Sequence, residues 1–191
     1  MKRLFDLVVV LLAMPFWLAA FAVVALVVRV TMGSPVLYVA PRAGRGGRVF
    51  GFWKFRTMRP GPGTDAERLT RAGRIIRATS LDEIPQLFHV LSGKMSLIGP
   101  RPLPAVYLPR YSAEQARRHE VRPGITGWAQ VNGRNALLWE EKFRLDVWYV
   151  DHRSMALDCR ILLLTAAKVL KRDGINHPEY DTMCEFKGGT K

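Results

Sequence analysis

No charged or polar side chain interrupts the chain between Asp6 and Arg29, an apolar run of about 22 positions. That length matches the roughly 20 residues a helix needs to cross a bilayer. A cleaved signal peptide would share the basic Lys2 and Arg3, with Ala20-Phe21-Ala22 as a small-x-small site. The apolar run continues past that site to Val28, and Asp6 interrupts its start, so a retained anchor is the better reading. Pro15 lies near the middle, where its ring deletes a helix hydrogen bond and predicts a bend. Basic residues flank both ends, an arrangement satisfied if both are cytoplasmic. The expected form is a re-entrant helix-break-helix, with a kinked spanning helix as the alternative.

Beyond the anchor the pattern changes to short elements. Val36 to Val39 and Val49 to Phe55 read as two strands about the turn Gly44-Arg45-Gly46-Gly47, a hairpin. Pro60-Gly61-Pro62-Gly63 is a loop, and Thr64-Asp65-Ala66-Glu67 has the capping-box spacing that opens a helix with Leu69, Ala72 and Ile76 as its apolar stripe. Further helices are predicted over Leu87–Leu91, over Ser112–Glu120 with Ser112 and Gln115 as a capping box, and over Leu138–Val150. Asp158–Arg172 reads equally as an interfacial amphipathic helix on anionic lipid or as a core helix with a basic end.

A chain of 191 residues suits one compact domain. Its 29 Lys and Arg against 16 Asp and Glu, formal charge +13, point to a polyanionic partner: nucleic acid, anionic lipid or a phosphorylated metabolite. No nucleic-acid reading element is recognisable, so no nucleic-acid partner is expected. Cys159 and Cys184 make neither a metal motif nor a disulfide framework, and His89, His119, His152 and His177 have no metal-ligand spacing.

The chemistry concentrates in a few strings. In Ser80-Leu81-Asp82-Glu83-Ile84-Pro85-Gln86-Leu87, Ser80 and Glu83 have capping-box spacing and set Asp82 in a first helical turn. Backbone N–H groups there would hold a carboxylate ionised, able to attack phosphorus or to bind Mg2+. A dipole partner without catalytic role has the same signature. Ile98-Gly99-Pro100-Arg101-Pro102 presents Arg101 on a stiff backbone, suited to gripping phosphate or simply to a rigid connector. Lys54 and Arg56 stand two apart on the second strand, hence on one face, as a diphosphate clamp or a charged edge. Arg122 to Arg134 reads as a long glycine-containing loop that could let backbone approach a nucleotide.

These strings, in order, resemble the monotopic phosphoglycosyl transferases, the bacterial sugar transferase family. The matching motifs are Lys2-Arg3-Leu4-Phe5-Asp6, Trp53 to Met58, Ser80 to Leu87, Ile98 to Pro102, Arg122 to Asn135, Asp146 to His152, and Thr182-Met183. The resemblance runs from about Lys2 to Gly188. It implies an α+β, mostly helical fold: a re-entrant membrane anchor over 1–32, and over 33–191 a small cytosolic catalytic domain on the inner leaflet of the bacterial inner membrane, with a short β-hairpin and interfacial helices. It implies an Asp82–Glu83 catalytic pair, Mg2+ held at Asp82, and a two-step reaction. In that reaction Asp82 attacks the β-phosphate of a UDP-sugar, UMP leaves, and polyprenyl phosphate takes the sugar-phosphate, the first membrane step of glycoconjugate assembly. Glu83 would handle protons or hold the metal environment. Arg77, Arg101 and Arg134 match family arginines, and with Lys54, Arg56 and Pro100 they are the expected substrate contacts, with Asp158 a weaker candidate. A homo-oligomer is compatible with this reading. Two departures stand out: Met14-Pro15 replaces a common Ser-Pro, and Pro60 to Gly63 replaces a longer acidic stretch. The chain begins almost at its anchor, as expected for the minimal form. The rival expectation is a catalytically silent membrane scaffold of a glycan-assembly complex.

Overall fold

The computed structural model describes residues 1–133, 137–171 and 185–188. Arg134, Arg172, His177, Cys184 and the Thr182-Met183 motif lie outside them. Two helices open the chain, α1 (Lys2–Leu12) and α2 (Met14–Met32), interrupted at Ala13 with Pro15 in the first turn of α2. A break is therefore present where Pro15 predicts one. A proline is tolerated in a first turn, where its missing N–H is not needed.

The two halves of the apolar run differ in their neighbours. α1 is seated against the rest of the protein: Arg3 donates to the carbonyls of Val90 and Leu91, and the buried Asp6 carboxylate accepts the Leu97 N–H at 3.2 Å. Lys2 reaches Asp158 at 2.6 Å. α2 is 19 residues long with mean hydropathy 2.0, long and apolar enough to cross a membrane, yet it packs along one side. Trp17 meets Phe88 edge-on, Phe21 lies against Phe55 and Phe88, and Val24 and Val28 pack with Phe55 and Ile76. Its other side is bare hydrocarbon, with Phe16 80 % and Val30 76 % exposed.

The expected hairpin forms. β1 (Leu37–Ala43) pairs antiparallel with β2 (Val49–Phe55), Tyr38 opposite Lys54, Ala40 opposite Phe52 and Arg42 opposite Phe50. Thr64 and Glu67 close the predicted capping box of α3 (Asp65–Arg68). That helix stops after one turn because Leu69 is extended. The Thr70 hydroxyl then accepts the Gly73 N–H at 2.9 Å and starts α4 (Arg71–Ala78). Of the stripe expected through Leu69, Ala72 and Ile76, the last two lie on α4 while Leu69 is the extended residue that ends α3.

α5 (Gln86–Leu91) leads to β3 (Ser96–Ile98), and the predicted capping box at Ser112 opens α6 (Ala113–Ala116), which tightens into a 3-10 turn over Arg117–His119. The stretch from Arg122 onward is not a loop. Gly124–Thr126 is β4, parallel to β3, and Trp128–Val131 is α7. Its glycines serve backbone packing instead of an open nucleotide cradle: a Cβ on Gly124 would stand 2.1 Å from the Gly99 nitrogen, and one on Gly127 2.2 Å from the Gly99 oxygen. α8 (Trp139–His152) and α9 (Met155–Lys171) complete the fold. Ile161 of α9 is fully buried, with Leu157, Leu162 and Leu164 packed on the main core of Val10, Trp17, Val90, Met95, Ile98 and Tyr149. On this face α9 is a core helix.

Because the Gly124 contact is backbone against backbone, it cannot relax by a rotamer change. Gly124→Ala is expected to destabilise the protein by roughly 3 kcal/mol, read as a lowered apparent melting temperature in detergent or nanodiscs.

Candidate active site

The Asp82–Glu83 pair sits in a 3-10 turn, Leu81–Glu83, immediately before α5. Ser80 does not cap it. Its backbone is left-handed (φ 57°) and its side chain makes no cap hydrogen bond; the turn is closed by the Ser80 carbonyl accepting the Glu83 N–H at 3.2 Å. α5 starts only at Gln86, after Pro85, so the capping-box expectation at Ser80 fails. Proline can occupy that entry position, and at Ser80 the chain turns in a left-handed conformation that residues other than glycine rarely adopt.

The carboxylates are held by side chains, with no backbone N–H bonded to either among the described residues. Lys54, projecting from β2, places its ammonium 3.1 Å from Asp82 Oδ2 and 2.7 Å from Glu83 Oε1. Arg101 forks onto Glu83, Nη1 donating to Oε2 at 3.3 Å and Nη2 to Oε1. The two acids consequently differ. Burial would raise Glu83, but Arg101 and Lys54 hold it well below the usual carboxylate range. Burial raises Asp82 above the ordinary 3.8, Lys54 opposing and the Glu83 charge adding to the rise. Asp82 is 7 % exposed and its Oδ1 carries no hydrogen bond among the described residues. One acid is thus a fixed anion, saturated by cations, and its neighbour is a more basic carboxylate with one oxygen free.

Arg101 is itself supported. The Pro100 carbonyl accepts the Gly124 N–H at 3.0 Å, which ties the Pro100-Arg101-Pro102 segment to β4. Arg118 donates to the Arg101 carbonyl at 2.8 Å while its guanidinium is paired with Asp146 of α8 at 2.7 Å, both side chains only 2 % exposed.

A family model described as bacterial sugar transferase matches residues 1–172. The chain belongs to that family. The chain is similar to EpsL, a sugar transferase of Bacillus subtilis, at 52 % identity over 98 % of this chain and 96 % of that protein. The UDP-glucose:undecaprenyl-phosphate glucose-1-phosphate transferase of Caulobacter vibrioides is 37 % identical over 90 % of this chain and 70 % of its own length. The UDP-galactose-lipid carrier transferase of Erwinia amylovora is 40 % identical over 91 % of this chain, which spans only 41 % of that relative.

Of the residues expected to contact substrate in this sugar transferase, Lys54 and Arg101 converge on the acid pair. Pro100 acts through its backbone. Arg56 lies just past the end of β2 and turns away from Lys54: its guanidinium donates to the carbonyls of Met32, Gly33 at 2.8 Å and Ser34 at 3.1 Å, closing the C-terminal end of α2. A cation is favoured there by the unpaired carbonyls of a helix end. Arg77 donates to the Thr57 hydroxyl at 2.9 Å, and Asp158 bridges Lys2 and the Tyr149 hydroxyl at 2.7 Å, binding α1 to α8 and α9. Arg134 lies outside the described residues. The Arg118–Asp146 pair was not singled out from the sequence, since 28 positions separate its members and nothing local marks them as partners.

Removing one member of that pair strands a charge in the interior, which typically costs about 3–5 kcal/mol. Asp146→Ala should therefore lower the melting temperature far more than Asp151→Ala, a surface control on the same helix.

Proposed function

We propose that this sugar transferase moves a sugar-1-phosphate from a UDP-sugar to polyprenyl phosphate through a phosphosugar adduct on Asp82. The observation that carries the reading is the unequal acid pair: Asp82 is buried, more basic than an ordinary aspartate and unbonded at Oδ1 among the described residues, beside a Glu83 locked as an anion by Lys54 and Arg101. The reactions named for the Caulobacter and Erwinia relatives support the same substrates.

In the first step Asp82 Oδ1 attacks the β-phosphorus, an acyl-phosphate bond forms, and the bond to the bridging oxygen breaks so that UMP departs with that oxygen. In the second, a phosphate oxygen of polyprenyl phosphate attacks the same phosphorus and Asp82 leaves as a carboxylate, giving polyprenyl diphosphate sugar. Lys54 steadies Asp82 and offsets charge on the phosphoryl group, and Arg101 fixes the position of Glu83. Glu83 itself keeps a permanent negative charge beside the reacting carboxylate, which helps keep Asp82 basic.

Among the described residues no three His, Cys, Asp or Glu side chains converge on one point. Mg2+ needs no such cage: one or two carboxylates plus substrate phosphates commonly suffice. Asp82, which meets only Lys54 among the described residues, fits that requirement better than Glu83, both of whose oxygens are occupied. Bound there, Mg2+ would neutralise the diphosphate.

The exposed side of α2, with Phe16, Val23, Leu26 and Val30, is read as the lipid-facing surface of a re-entrant anchor in the inner membrane, the domain being cytoplasmic. A lipid acceptor then meets the site at the membrane boundary. The product would begin a bacterial glycoconjugate.

Two measurements test this. In nanodiscs with Mg2+, polyprenyl phosphate and a panel of UDP-sugars, the wild type should release UMP and form lipid-linked product, and Asp82→Asn should do neither. Mass spectrometry after donor alone should find the phosphosugar on Asp82; full turnover by Asp82→Asn would remove the nucleophile, and no UMP from any donor would favour a silent scaffold. The second is a pH profile. Protonated Asp82 cannot attack, so kcat/KM must fall as pH drops through its raised pKa, with a midpoint above 3.8. Lys54 lowers that pKa, so Lys54→Met should move the acid limb to higher pH as well as reduce the rate.

A further inference from the structure

The hairpin sets a second cation beside Lys54. Directly opposed residues of an antiparallel pair share a face, so Tyr38, Ala40 and Arg42 of β1 lie on the same side as Lys54, Phe52 and Phe50 of β2. The Phe52 ring takes both cations: Arg42 Cζ stands 5.7 Å and Lys54 Nζ 6.0 Å from its centroid. The Arg42 backbone bridges to Pro104, and the neighbouring Ala43 N–H donates to the Leu103 carbonyl at 3.0 Å, so this end of β1 is fastened to the segment that follows Arg101.

Lys54 and Arg101 are committed to Asp82 and Glu83. Arg42 is not. Among the described residues its guanidinium has neither a hydrogen bond nor an ion pair, and its Nε is buried without a partner. Burial and the nearby Arg101 charge both disfavour its charged form, while Glu83 is close enough to favour it. Arginine nevertheless stays protonated in proteins, so this is a standing positive charge with its hydration partly removed. Among the described residues of the cluster, Lys54, Arg101 and Arg42 face two carboxylates, each already matched. The surplus charge belongs to Arg42, and an arriving phosphate would offset it. A guanidinium fork also fits phosphate oxygens better than an ammonium does.

We infer that Arg42 is a phosphate-binding residue of the Asp82–Glu83 site, its ligand being a phosphate group of the nucleotide donor or of the polyprenyl acceptor. This rests on the function proposed above. Arg42 lies four residues along β1 from the row of Lys54, roughly 13 Å of strand. The two cations therefore grip different parts of a bound anion, with Phe52 between them.

The test uses the full chain in nanodiscs with Mg2+, titrated calorimetrically with UDP in one arm and farnesyl phosphate, a short polyprenyl phosphate, in the other. Arg42→Met keeps an apolar stem over Phe52 and removes the charge. It should weaken at least one probe by roughly ten- to hundredfold with the melting temperature unchanged, and Arg42→Lys should recover part of the loss. The arm that weakens identifies the ligand. Unchanged affinity for both probes would overturn the assignment. Should Arg42→Met not fold, Arg42→Lys carries the test, since it keeps the charge without the fork, and equality with wild type in both arms counts against the proposal. Wild-type protein that binds neither probe would instead overturn the proposed function, a result visible without any variant.

Discussion

Two neighbouring acids in a half-sealed turn repel each other and lose hydration together, and only fixed cations make that arrangement stable. Lys54 and Arg101 are those cations, the first bridging Asp82 and Glu83, the second forking onto Glu83. The division of labour between the acids follows from this placement. Among the described residues Glu83 receives two cations and stays an anion; Asp82 receives one, keeps an unbonded oxygen and is the more basic. A symmetrical arrangement would have made both carboxylates equally inert or equally protonated.

The rest of the fold can be understood as what keeps those two cations still. Lys54 projects from a strand whose register is set by pairing along the whole hairpin. Arg101 leaves the end of β3 between two prolines, and its segment is tied to β4 by the Pro100 carbonyl and held from behind by Arg118, itself neutralised by Asp146. The close approach of Gly99 to Gly124 and Gly127 belongs to the same support: without Cβ atoms the two backbones can meet, and the Arg101 segment is anchored on both sides.

The amino-terminal helices connect this machinery to the apolar surface. α1 is tied in by polar side chains, Arg3, Asp6 and Lys2, at positions where a free membrane segment would carry none. α2 continues with aromatic and branched contacts along one side, and Arg56 satisfies the carbonyls at its end. Arg56 thus joins the end of α2 to the end of β2, and of these two neighbouring cations Lys54 is the one that meets the acids. Two cations two residues apart in sequence do different work because the strand ends between them.

Much of this was legible in local sequence, because local structure is decided by residues within a turn or two. The break at Pro15, the hairpin around Gly44 to Gly47, the capping boxes at Thr64 and Ser112 and the helix from Trp139 all formed as their spacing predicts. The motif order also carried the family. Local reading failed where tertiary contacts override the same signals: Ser80 has capping-box spacing yet turns left-handed, and the glycines after Arg122 pack a parallel strand pair whose partner is β3. Which cation meets which acid could not be read at all. Lys54 reaches Asp82 across 28 positions and Arg101 reaches Glu83 across 18, and Arg42 joins them only through strand register. Electrostatic pairing depends on distance in space, which chain spacing does not encode, so the sequence determined the elements and the acids while the packing of those elements decided their charge.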